Sequence, residues 1–233
     1  MRLYCFIDIK SRDYPAVIGC LEGLREQFLD IIPVTWVIEQ RDFSALPWEV
    51  YSPGEKGVAF SKVSSDTKAL WDKYEYLYDT VVYFIDESNW KANELRKPEE
   101  PQIKGWNLGQ FFNNYQVQLI ATNNTLTNMN ARLFEEVGHS IDDFAFRELG
   151  RSLDSEIGLD FDEDIIHDRN NPEGERGDYR LFYLAHKELI YAILKRRMEK
   201  EVESLMLKVL VLLRTWIMKL SKPKPTWNYQ HKH

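Results

Sequence analysis

The stretch 133-LFEEVGHSIDDF-144 brings two adjacent carboxylates and an imidazole into five consecutive residues. Side chains four apart on a helix lie on one face, so a helical reading places Glu135 and His139 together with Glu136 beside them. Such a grouping can hold a divalent cation or move a proton. The pair Glu-x-x-His carries little information alone, because a chain rich in Glu with five histidines contains it readily by chance. The flanking residues add to it: Leu133 and Phe134 precede the acids, the small Gly138 abuts the imidazole, and Ser140, Ile141 and Asp142 follow.

With histidine in place of Glu135 the segment would read H-E-V-G-H-S-I-D, and in this respect it resembles the active-site helix of the zincin (HExxH) zinc metallopeptidases. The resemblance covers about Asp79 to His167, and only the helix is motif-specific. It implies zinc as cofactor and a peptide or protein as substrate. It also implies that Glu136 takes a proton from the metal-bound water and that His139 is the second metal ligand. The first ligand position departs from the family, because Glu135 stands there. Zinc accepts a carboxylate, but an extra anion lowers the Lewis acidity of the ion, so the site is either an altered metal site or a degenerate one. Zincins draw a third ligand from downstream; His167 in 162-DEDIIHDR-169 is the preferred candidate, with Asp162, Glu163 and Asp164 as alternatives. The competing reading is a non-enzymatic structural or assembly protein that keeps a zincin-like scaffold and associates through its C-terminal helix.

Other candidates carry less. His186 has no second His at ligand spacing, and His231 and His233 belong to a Pro-containing tail expected to be extended. Trp71, Tyr74, Tyr76 and Tyr78 suit a core or interface better than a binding box. The sequence holds neither a Gly-rich phosphate loop nor a Gly-x-Ser-x-Gly elbow.

The elements that must position the motif follow from periodicity. The apolar runs 3-LYCFIDI-9, 33-PVTWVIEQ-40 and 79-DTVVYFID-86 predict strands, the last apolar enough to be central in a sheet, and Tyr115 to Ala121 predicts another. Helical spacing covers 13–30 and 66–79. The segment 42–57, with its Pro and Gly, reads as a long surface connection, Glu87 to Lys104 as a polar loop, and 106-WNLGQ-110 as a turn. Leu133, Phe134, Val137, Ile141 and Phe144 stripe a helix over 129–150, capped by Thr127 or Asn128 and stopped by Gly150. An acidic loop, 154–178, precedes a helix from Tyr179 to about Leu220. In that helix Val202, Met206, Val209, Leu213, Trp216 and Leu220 alternate steps of four and three, the seam of a coiled coil.

The expected fold class is therefore α+β, a small mixed sheet with a zincin-like active-site helix and a long C-terminal helix. The expected division is a domain over 1–197, an amphipathic helix over 198–220 and a tail over 221–233. The net charge of -7 argues against nucleic acid as partner. The seam over 202–220 points to self-association or a helical partner. Only Cys5 and Cys20 are present, which fits a reducing compartment. The apolar stretch before Asp8 is too short for a signal peptide, and Lys208 and Arg214 interrupt the most apolar region, so a soluble chain without a transmembrane segment, cytoplasmic or part of a larger assembly, is expected.

Overall fold

The structure, a computed structural model, describes residues 1–12, 14–74, 77–111, 115–122, 126–149 and 187–220. The chain divides into two compact units, Met1–Leu194 and Lys195–His233.

The first unit is built on a five-stranded mixed sheet. Strand β1 (Arg2–Asp8) leads to helix α1 (Tyr14–Gln27) and β2 (Thr35–Arg41). A hairpin of β3 (Trp48–Ser52) and β4 (Glu55–Val58) precedes α2 (Phe60–Tyr74) and β5 (Thr80–Ile85). Then come β6 (Gly105–Gln110), β7 (Gln116–Ala121) and α3 (Leu126–Leu149). The sheet order is β2-β1-β5-β7-β6; β1 is parallel to β2 and β5, and β7 is parallel to β5. Strand β6 runs antiparallel to β7 and forms the edge. The class is α+β, as expected.

The apolar runs have a direct cause. Every residue of β5 and β7 is buried, and so are the last six of β1, because these strands are covered on both faces and have no solvent side to mark with polar residues. Alternation divides their side chains between two cores. Leu3, Cys5, Ile7, Val82 and Phe84 face α1 and α3, joined by Ile190, Ile193 and Leu194 from the start of α4 (Lys187–Leu220). Tyr4, Phe6, Val81, Tyr83 and Ile85 face the opposite way, toward Val63 and Leu70 of α2. Cys5 and Cys20 are buried free thiols in the first core, and burial raises the proton affinity of both.

The stripe expected on α3 is real: Leu133, Phe134, Val137, Ile141 and Phe144 are all buried. Phe134 meets Phe28 beyond the end of α1, with ring centroids 4.9 Å apart. Asn130 Nδ2 donates to the Cys20 carbonyl at 3.0 Å, and this close crossing needs Gly23, where an added Cβ would lie 2.2 Å from that Nδ2. Tyr74 and Tyr78 pack on Tyr4 at centroid distances of 5.7 and 4.9 Å, which is a core role.

Several boundaries differ from the sequence reading. The surface connection at 42–57 contains the β3–β4 hairpin, turned at Gly54 with φ +85°. Its alternating Trp48, Val50 and Ser52 belong to one strand, and Tyr51 stacks on Phe60 at 4.4 Å. The expected turn at 106–110 is strand β6, bulged where Gly109 has φ +80°. Helix α2 covers 60–74 rather than 66–79, since the chain must leave the helix to enter β5 at Thr80. Helix α3 starts at Leu126, so Thr127 and Asn128 lie in its first turn rather than at its cap. The acidic loop 154–178, Gly150 and the tail fall outside the described residues, as does the expected helix before Lys187.

Candidate functional site

Helix α3 carries a second stripe besides its apolar one. Arg132, Glu135, Glu136 and His139 follow the spacing i, i+3, i+4, i+7 and line a single cavity of about 450 Å³. Its other wall is the start of β6, Gly105 to Asn107, with the segment before it. That segment is pinned from behind: Asn93 Nδ2 and Trp90 Nε1 donate to the Ile103 carbonyl at 2.8 and 3.0 Å, and Ile103 N donates to Asn93 Oδ1 at 2.6 Å. Ala121 N then donates to the Lys104 carbonyl at 2.9 Å, which starts the β6–β7 pairing. At the rim Arg96 pairs with Glu55 at 3.5 Å, joining the loop to the hairpin.

Glu136 lies deepest, with 5% of its surface exposed. Burial, with the neighbouring Glu135 charge, raises the pKa of its carboxyl well above the ordinary value despite an opposing effect from Arg132. The room for it comes from Gly105: a Cβ there would lie 2.8 Å from Glu136 Oε1 and 3.5 Å from Arg132 Cβ. A glycine inside a strand often marks such an approach. Behind the carboxyl, Ser140 Oγ accepts from Gln118 Nε2 at 2.7 Å, tying α3 to β7 one turn further on.

Glu135 is half-buried and takes a hydrogen bond from Arg132 Nη1 on its Oε2 at 2.5 Å. The position that a zincin gives to its first imidazole is thus held by a carboxylate already paired with a guanidinium. Nothing in the motif itself calls for Arg132. His139 is partly buried and lines the same cavity.

The structure therefore brings together three of the expected site residues, Glu135, Glu136 and His139. The fourth, His167, lies outside the described residues with its alternatives Asp162, Glu163 and Asp164, and so do His186, His231 and His233. Among the described residues no group of three or more His, Cys, Asp or Glu side chains is placed to hold a metal ion. The donor chemistry present, one imidazole and one carboxylate four residues apart on a cavity wall, fits two positions of a zinc site. Compared with known proteins, the sequence matches no family model, and no curated protein matches it significantly.

Proposed function

We propose that the chain is a zinc-metallopeptidase-like protein with an altered first ligand, in which Glu135, His139 and a downstream donor, His167 in the preferred assignment, hold the metal. The observation that carries this reading is Glu136, a buried carboxyl on the cavity wall between the two ligand candidates. A bound zinc would supply Lewis acidity and an acidified water. The chain's own part is to position the substrate and handle a proton. A base working near neutral pH needs a proton affinity above that of an ordinary carboxylate, and burial moves Glu136 in that direction. Strand β6 adds support for a peptide substrate: no strand pairs with its outer edge among the described residues, and an extended chain can align on such an edge.

The Arg132 pairing favours a second reading, a degenerate site in a non-enzymatic assembly protein, because it neutralises a carboxylate that the metal needs. Zinc titration separates the two. The metal-site reading expects stoichiometric zinc binding by the whole chain, lost in His139→Ala, and a tighter site in Glu135→His. In the Glu135→His background weak cleavage of an unfolded protein should appear and should vanish with Glu136→Gln while zinc stays bound. A folded wild-type chain and a Glu135→His variant that both ignore zinc would establish the degenerate reading.

A further inference from the structure

A row of aromatic rings flanks β6 on the side away from α3. Consecutive residues of a strand face opposite ways: Gly105 approaches Glu136 on α3, whereas Trp106 packs against the core shared with α2. From Trp106 the row runs through the hairpin and the start of α2. Trp106 meets Tyr51 edge-on with ring centroids 5.3 Å apart, Tyr51 stacks on Phe60 at 4.4 Å with 6° between their planes, and Phe60 meets Phe111 at 5.5 Å. Trp106 stands near the start of β6 and Phe111 just past its end, so the row follows the strand for roughly 16 Å at about 3.3 Å per residue.

Core packing does not account for this row. Phe60 is 48% exposed, and Tyr51, Trp106 and Phe111 are only partly buried. Tyr51 is nevertheless fixed in place: its hydroxyl donates to the Val58 carbonyl, and its ring lies over Gly57, where an added Cβ would be 2.6 Å from Cε2. The charged residues of the hairpin are already engaged. Glu49 Oε1 accepts from Phe60 N at 2.7 Å, Glu55 pairs with Arg96 at 3.5 Å, and Lys56 pairs with Glu94. A sugar ring on an aromatic platform needs polar neighbours for its hydroxyls, whereas an aromatic side chain needs only the ring faces and edges. The row is continuous with the cavity, because Trp106 lines both. An extended chain paired with the outer edge of β6 alternates as β6 does, one side chain toward the α3 wall of the cavity and the next toward the row.

We propose that Tyr51, Phe60, Trp106 and Phe111 form a subsite for an aromatic side chain of an extended peptide paired along β6, an inference that rests on the reading of the cavity as a peptide site. The test uses the full-length chain in EDTA and two fluorescein-labelled peptides, one with a single Phe among alanines and its all-alanine twin. Fluorescence polarisation should show the Phe peptide bound more tightly by roughly tenfold or more, the factor expected from taking much of one Phe side chain out of water. Phe60→Ala should bring the ratio of affinities close to one, and Phe60→Trp, which restores a flat ring, should keep it. Gly57→Ala, which displaces the Tyr51 ring, should lower the ratio as well. The urea transition of each variant checks that the first unit stays folded. Equal binding or no binding of the two peptides by the wild-type chain overturns the proposal, and so does a preference undiminished in both alanine variants. A concentration-dependent dimer, seen by sedimentation and lost in Phe60→Ala, also overturns it, since the occupant would then be a second copy. Because EDTA removes the metal, the two readings fail separately: a chain that ignores zinc but prefers the Phe peptide refutes the metal site alone, and a zinc-binding chain without the preference refutes the subsite alone.

Discussion

Replacing Glu136 by Gln should make the protein more stable at neutral pH, by an amount that grows with pH. The wild-type carboxyl is buried on α3 against the start of β6, and its pKa is raised well above its ordinary value near 4.5. Folding therefore takes up a proton at this position whenever the pH exceeds the unfolded value. Below that value both states are protonated and the group has no pH-dependent cost. Above it, folding becomes less favourable by about 1.4 kcal/mol per pH unit, until the folded carboxyl itself ionises. Gln is nearly isosteric with the protonated acid and does not titrate. The urea stabilities of the two proteins should thus meet near pH 4.5 and separate with that slope as the pH rises. Tryptophan fluorescence in urea, repeated at half-unit pH steps, measures the difference. Parallel curves, or a Gln variant weaker than wild type at neutral pH, would refute the reasoning and mean that Glu136 is charged and compensated in the folded state. The extra stability should accompany loss of any peptidase activity in a metal-loaded background, because the amide cannot accept the water's proton.

Three further outcomes follow from close approaches at the site and in the core. Gly105→Ala should cost about 1 to 3 kcal/mol, because the new methyl would lie 2.8 Å from Glu136 Oε1; the cost should shrink in a Gly105→Ala/Glu136→Ala double variant, and additive urea-derived losses would contradict the contact. Arg132→Gln frees the Glu135 carboxylate, so calorimetric zinc titration should show tighter binding than in wild type, and unchanged affinity would mean that the guanidinium does not compete. Gly23→Ala should lower stability by about 1 to 3 kcal/mol, since the Asn130 amide sits where the methyl must go and loses its bond to the Cys20 carbonyl; a thermal transition within one degree of wild type would count against this crossing.

What the sequence determined alone is the part of the fold governed by local periodicity. Strands β1, β5 and β7 could be read because residues covered on both faces must be apolar throughout, and the buried face of α3 because its apolar residues recur at helical spacing. The shared face of Glu135, Glu136 and His139 could also be read, being a property of any helix. The sequence could not show β6 or the β3–β4 hairpin. Gly105, Asn107, Gly109, Pro53 and Gly54 read as turn residues, and these strands exist only because β7, or the other arm of the hairpin, supplies their hydrogen bonds. The environment of the motif depended on the same pairing. Only when β6 packs beside α3 does Gly105 meet Glu136, and burial of the carboxyl in this packing is the main cause of its raised proton affinity. Burial of a charge is set by whatever packs on it from elsewhere in the chain, and no spacing within the motif encodes that neighbour.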